Sequence, residues 1–243
     1  MPVLKLEWRK DDQRRRFYPP DFPGMYQRFQ EVIREHVVDG ARVLDAGCGS
    51  GRVFRYDLGP VEAQIVGADI TPQLRDNPNI HRPLLGDVQA LPFRDDSFDV
   101  VLTSHVVEHL PRPEEAFREM ARVLRPGGRL LILTPNRFHY VPLLAALLPH
   151  RLHVKFNRSR GVAERDIFPT VYRANTAGRL RRLLEGAGLS VERLERFETE
   201  PEYLAFHPLA YRLGVAYERL VNRFRLLAPL RVNLIAVARK ADG

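Results

Sequence analysis

The chain has 243 residues, 44% of them hydrophobic, enough for a packed core in one α/β domain with additions. It carries 38 Lys and Arg against 30 Asp and Glu, a formal charge of +8 that would suit an anionic partner and is equally satisfied by solvated arginine. The single cysteine, Cys48, excludes an intramolecular disulfide and a cysteine-built metal cluster, and no apolar run approaches the roughly 18 residues of a spanning helix.

Residues 1–40 read as an N-terminal arm and helix. Lys5, Glu7, Arg9, Lys10, Asp11 and Asp12 interrupt any apolar core at the start, so no secretory leader is expected and the expected location is cytoplasmic. Pro19, Pro20 and Pro23 mark an arm, and Tyr26, Phe29, Ile33 and Val37 predict a helix over 25–38. Residues 41–243 form the main domain. Val43 and Leu44 end an apolar run suited to a buried parallel strand that closes on Asp45. Gly47, Cys48, Gly49, Ser50 and Gly51 then make a loop with little side-chain bulk, able to approach a ligand closely, and the segment after it can open a helix whose amides face that ligand. A second strand-like run, Gln64 to Asp69, ends in an acid. A third, Ile80 to Leu85, ends in Gly86-Asp87, and a fourth, Phe98 to Thr103, leads into Ser104-His105-Val106-Val107-Glu108-His109-Leu110.

Pro111 and Pro113 start a helix containing Ala116, Phe117, Met120 and Val123. Residues 122–134 read as helix end, a tight Pro126-Gly127-Gly128 turn, and a fifth strand. This alternation predicts an α/β fold with a doubly wound, mainly parallel sheet. Residues 137–172 fit no sheet element. Their apolar stretch, then Arg151, His153, Lys155, Arg158 and Arg160, read as a substrate-side cap, because the position follows strand five, at the ligand-binding carboxyl end of such sheets. A helix is expected over 175–188, a sixth strand over 189–197, and a helical insertion over 202–227 with a break at Pro208. In that insertion Leu209, Leu213, Ala216, Leu220 and Phe224 form one stripe, and Arg212, Arg219 and Arg223 another. The apolar stripe is expected first to pack on the core, then to dimerise, and last to meet a membrane.

The order of VLDAGCGSG (43–51), GAD (67–69), GD-x-x-x-LPF (86–93), FD-x-V with its EHL tail (98–110) and RVLRPGG (122–128) resembles the class I S-adenosylmethionine-dependent methyltransferases, in particular their small-molecule branch. The resemblance covers roughly residues 41 to 136, with a weaker echo at 175–189. It implies a Rossmann-like fold with an antiparallel last strand over 232–238, S-adenosyl-L-methionine as cofactor, and methyltransferase activity (EC 2.1.1.-). Carried over residue by residue, the cofactor site is Asp45, Gly47, Cys48, Gly49, Gly51, Asp69, Ile70, Asp87, Val88 and Ser104. In it Asp45 caps the loop and organises the methionine end, Asp69 holds the ribose hydroxyls, and Asp87 and Val88 meet adenine. A dinucleotide-dependent dehydrogenase fits less well: its fingerprint wants a sixth-position glycine where Arg52 stands.

Methyl transfer needs a base only if the acceptor must lose a proton. His105, His109 and His139, nearest the expected acceptor side, are the candidates; His105 can instead shield the cofactor pocket, and His109 can be a structural histidine bonded to a neighbouring helix or loop. His150 and His153 lack a carboxylate partner, so no metal is expected. The acceptor is read as a small molecule, lipid or glycan, with methylation on oxygen. A catalytically silent cofactor-binding partner and an RNA methyltransferase are the alternatives. Nucleic acid is disfavoured because no recognised module accompanies the charge. Peripheral membrane contact, and the choice between monomer and homodimer, stay open.

Overall fold

The computed structural model describes residues 13–52, 54–147 and 168–242, with the backbone alone at 144–147. The predicted strand runs all form; the central ones are apolar stretches buried on both faces, whereas the run at 82–85 is largely exposed. These are β1 (Arg42–Ala46), β2 (Gln64–Asp69), β3 (Arg82–Leu85), β4 (Phe98–Ser104), β5 (Leu124–Pro135), β6 (Leu189–Phe197) and β7 (Asn233–Lys240). They make one seven-stranded sheet in the order β3-β2-β1-β4-β5-β7-β6. The pairs from β3 to β5 are parallel, and β7 runs antiparallel between β5 and β6, as expected for the last strand.

Two apolar layers cover the sheet. On one face α2 (Pro113–Val123) and α4 (Ala177–Gly186) bury Phe117, Met120, Leu180 and Leu184 against Leu44, Val101, Leu130 and Ile132. On the other, α1 (Met25–His36) buries Phe29, Val32 and Ile33 against Val43, Leu102, Leu131 and Leu133. Pro113 opens α2, where its missing N–H costs nothing. Thr176 caps α4 by accepting the Arg179 amide at 3.3 Å.

Three expectations need correction. No helix follows the glycine loop among the described residues: 54–63 run as irregular chain through the Gly59-Pro60 turn. Pro126-Gly127-Gly128 is not a turn between helix and strand. β5 already begins at Leu124, pairs there with Phe98, and rejoins the ladder at Arg129 opposite Val100, so residues 125–128 loop out as an irregularity within the strand. The break expected at Pro208 is present, and Pro208 itself starts the helix that follows it. A 3-10 turn at Glu202–Leu204 precedes α5 (Pro208–Arg223), and a second at Arg225–Leu230 follows it. The buried face of α5 is Tyr211, Gly214, Val215, Glu218 and Val221, with Tyr211 and Val215 packed on Tyr18 of the arm. The Leu209, Leu213, Leu220 and Phe224 stripe, expected first to pack on the core, faces outward.

Of the expected cap, α3 (Tyr140–Leu147) and residues 168–172 are described; residues 148–167, with His150, His153 and most of the basic run, lie outside the described residues.

Gly67 shows how tightly β2 is set. A Cβ there would lie 2.6 Å from Ile80 Cδ1 and 2.8 Å from Cys48 Sγ. Gly67→Ala should therefore lower stability by about 1–3 kcal/mol, the usual cost of overpacking. An unchanged urea midpoint would show that Ile80 and Cys48 have room to give.

Candidate active site

β1 and β2 lie side by side, with Asp45 opposite Gly67 and Ala46 opposite Ala68, so the chain leaving β1 turns beside the end of β2. The amides of Gly47 and Cys48 both reach the Ala68 carbonyl, at 2.7 and 3.3 Å. The Gly49 amide then donates to Oδ2 of Asp69 at 2.9 Å. Oδ1 of Asp69 accepts the Thr71 amide and hydroxyl, both at 2.8 Å. A carboxylate offers about four acceptor positions; the chain itself uses three at Asp69 and leaves about one for a ligand.

The loop turns on positive φ at Gly47, Gly49 and Gly51 (80°, 50° and 68°). A Cβ on Gly47 would lie 2.2 Å from Val106 Cγ2 and one on Gly51 2.4 Å from Asn77 Oδ1, whereas one on Gly49 would meet nothing within 4 Å. The loop is thus clamped at both ends and open in the middle. Asn77, which sequence reasoning missed, holds it from below, donating to the carbonyls of Cys48 (2.8 Å) and Gly49 (3.2 Å).

Asp45 is buried, and its Oδ2 accepts the Tyr56 hydroxyl at 3.1 Å. The loop amides, which Asp45 was expected to cap, go to Ala68 and Asp69 instead. Burial pushes its carboxyl up to about 7, with Asp69 adding to the rise and the Tyr56 hydrogen bond opposing it. Burial, then the two neighbouring acids, push the Cys48 thiol up, so it is a protonated filler rather than a nucleophile. Ile70, beside Asp69, is 61% exposed. Asp87 ties its own turn by accepting the Gln89 amide at 2.9 Å, and the Val88 side chain belongs to the core.

Beyond β4, Ser104 Oγ is buried without a hydrogen-bond partner. His105 adopts φ 57°, uncommon for a residue with a side chain, and sits edge-on to the Tyr26 ring at 5.7 Å. Its Nδ1 is 3.1 Å from Glu108 Oε1, and its Nε2 is buried with no partner. Glu108 is 3% exposed; its Oε2 accepts the Thr134 hydroxyl at 3.0 Å, and Thr134 Oγ1 in turn accepts Asn175 Nδ2 at 2.7 Å. Burial pushes the Glu108 carboxyl up, but the hydrogen bond and charge of His105, with His109, outweigh it and hold the group below its ordinary value. An ionised Glu108 keeps the His105 proton on Nδ1 and leaves Nε2 as an acceptor. Glu108 was not singled out in the sequence, although His-x-x-Glu over 105–108 is the spacing that joins them.

The other histidines are placed differently. Nδ1 of His109 meets the Pro169 carbonyl at 2.9 Å. His139 is buried against the Tyr140 and Tyr217 rings, 3.5 Å from Glu198. Burial pushes His139 down to about 3 and Glu198 up to about 8. Near neutral pH both are uncharged, so their approach is not an ion pair. No group of three or more metal-ligating side chains occurs among the described residues.

Residues 44–132, from β1 into β5, match a family model described as "Methyltransferase domain". Residues 44–132 are thus a methyltransferase domain, and their motifs are those of the class I S-adenosylmethionine-dependent type. The chain is similar to the methyltransferase GfsG of Streptomyces halstedii (35% identity; 44% of this chain, 42% of the relative). It is also similar to a ubiquinone biosynthesis O-methyltransferase of Xanthomonas oryzae pv. oryzae (35%; 40% and 44%) and to the sterol 4-C-methyltransferase strm-1 of Caenorhabditis elegans (27%; 65% and 56%). The matches thus span roughly half the length of these relatives. Among solved structures, a S-adenosylmethionine-dependent methyltransferase from Mesorhizobium loti shares the fold, with TM-score 0.57 at 17% identity over 89% of this chain and 98% of that one.

The methyltransferase domain has features that fit the family's cofactor. Gly49 leaves backbone open to a ligand, Asp69 retains an acceptor position, Ile70 offers a bare apolar face, and Ser104 Oγ is unpartnered. With Asp45, these residues would hold S-adenosylmethionine.

Asp45 also sets a pH dependence. Its folded value, near 7, lies above the ordinary 3.8, so the folded state binds the extra proton. That contribution is complete below the unfolded value and is lost as pH rises through about 7. Asp45→Asn should flatten this slope, gaining on the parent protein by up to about 1.4 kcal/mol per pH unit across the window. Urea midpoints at pH 5 and pH 8 check it; parallel losses in both proteins would place the proton elsewhere.

Proposed function

We propose that this domain transfers the methyl group of S-adenosylmethionine to a hydroxyl of a small-molecule, lipid or glycan acceptor. The observation that carries the reading is the His105–Glu108 pair: a buried carboxylate orients an imidazole whose Nε2 has no partner, one residue from the Val106 side chain that packs on the glycine loop. The cofactor supplies an electrophilic methyl on a good leaving group, so positioning provides much of the acceleration. What the chain must add for a hydroxyl acceptor is a place for its proton. His105 Nε2 takes it, and the ionised Glu108 stabilises the imidazolium that results. A carbon acceptor already activated by its own electrons would not need this pair.

Residues 137–172 cap the acceptor side in this reading. The returning end of the segment is pinned at the same place, where the Val171 and Tyr172 amides donate to the Glu108 carbonyl at 2.8 and 3.1 Å. The similarity to an O-methyltransferase supports oxygen as the methylated atom, although the sterol relative is a C-methyltransferase.

Two measurements test the reading. Asp69→Ala should weaken cofactor binding in calorimetry by roughly 1.5–3 kcal/mol, the range of charged hydrogen bonds. It should also lower the melting temperature, because Gly49 and Thr71 lose their acceptor. Unchanged affinity would remove Asp69 from the site. For the chemistry, radiolabelled methyl transfer to a panel of phenolic, lipid and sugar hydroxyls should identify an acceptor. With that acceptor, His105→Gln and Glu108→Gln should each lower kcat by about 10²–10⁴ and leave cofactor affinity in place. Label found on carbon, or turnover insensitive to both variants, would overturn the role of the pair. Cofactor binding without any transfer would favour a silent binding protein.

A further inference from the structure

We infer that the outer face of α5 is a docking surface for an anionic lipid bilayer. Leu209, Leu213 and Leu220 are 59%, 63% and 50% exposed, with Ala216 exposed in the same row. Their spacing by three and four places them on one side of the helix, opposite the buried Tyr211, Gly214, Val215, Glu218 and Val221. The row continues into Phe224, half exposed, and Leu226, 89% exposed, on the following turn. Arg212, Arg219 and Arg223 run beside it on the same outward side, and Arg225 follows. The helix contains a single acid, Glu218, which is turned inward. An apolar row this long, edged by arginine and free of exposed acid, matches the boundary between acyl chains and phosphate headgroups.

Charge decides the occupant. A second copy docking through the same face in a two-fold manner would bring the arginine row against its symmetry mate or leave it unpaired. A neutral bilayer would use the leucines and leave the arginines idle. An anionic surface satisfies both rows at once. No helix among the described residues is long and apolar enough to cross a membrane, so contact through α5 would be peripheral. The inference stands apart from the acceptor reading, since it uses no residue of the cofactor site or of the His105–Glu108 pair.

The test is co-sedimentation of the full chain with vesicles of phosphatidylcholine alone and of phosphatidylcholine containing phosphatidylglycerol. Binding to the anionic vesicles only is expected, with each arginine near the surface changing affinity roughly fivefold. The variant Leu213→Glu with Leu220→Glu should abolish binding. The triple change of Arg212, Arg219 and Arg223 to Ser should weaken it strongly, and high salt should do the same. All five positions are exposed, so melting curves of the variants should match the parent. Three results would overturn the inference: no sedimentation with either vesicle at low salt, equal sedimentation with both, or binding that survives the leucine variant. A dimer dissolved by the leucine variant, in protein that ignores vesicles, would assign the face to a second copy instead.

Discussion

The carboxylate of Asp69 is the junction on which the site depends. It ends β2, yet two of its three bonds in this chain shape its own turn at Thr71, and the third reaches across to the amide of Gly49 in the loop that leaves β1. The parallel register that sets Ala46 beside Ala68 makes that reach about one hydrogen bond long. A glycine loop has little intrinsic preference for any one path and loses much conformational freedom when fixed. The Ala68 carbonyl, Asp69, Asn77 and the Val106 side chain fix it from separate segments. The result is a loop whose backbone is ordered before a ligand arrives, which reduces the entropy that binding must overcome.

A second polar system lies across β4, and burial gives its groups different protonation states. Asp45 has one hydrogen-bond donor and an acidic neighbour, so burial dominates and raises it. Glu108 is as deeply placed but is bonded to His105 and Thr134, so it stays ionised. Glu198 accepts the Val232 and Thr199 amides, and these are too weak to offset burial. Depth alone therefore does not separate these acids; the charge of the donor does. An unpartnered nitrogen does not by itself mark the pair, since Nε2 of His139 beside Glu198 is buried without a partner as well; what separates Glu108 is that a histidine hydrogen bond holds it ionised.

Much of this was legible in the sequence because central strands buried on both faces must be apolar throughout, and runs of that kind mark a parallel sheet. The loop glycines and the acids ending β1 and β2 were visible for the same reason: close approach and ligand charge restrict residue type. Other features depended on distant partners. Asn77 and Tyr56 read as ordinary turn residues until folding brings them to Cys48 and Asp45. At the crossover after Gly51 the glycine loop pointed to a helix, whereas the chain there runs irregularly through the Gly59-Pro60 turn. The α5 stripe shows a more general limit. Periodicity identifies an apolar row and not what lies against it, and α5 carries two apolar faces. The arm residue Tyr18, close to 200 positions upstream of Glu218 and hydrogen-bonded to it at 3.3 Å, covers the other one.

The direction of β7 explains why these additions share one end of the molecule. Because β7 returns antiparallel between β5 and β6, Pro135 at the end of β5, Asn233 at the start of β7 and Phe197 at the end of β6 align in one row. The segments after β5 and after β6 therefore leave the sheet at its carboxyl end, the end that also holds the glycine loop and His105. Asn136 joins them: its side chain donates to the carbonyls of Pro229 and Arg231, both at 2.7 Å, while the neighbouring Arg137 amide donates to Asn175. Tyr217 of α5 then packs edge-on to Tyr140 at the start of α3 and donates its hydroxyl to Leu230. Tyr217 and Asn136 thereby tie α5 and the turn after it to the start of residues 137–172, the segment proposed as the cap. The opposite end of the sheet is held differently. There Lys240 closes β7 onto Asp96 and the Leu124 carbonyl, contacts that secure strands and touch nothing of the site. In the proposed reading, additions gathered at this one end could be altered to suit another acceptor while the Asp69 junction stays intact.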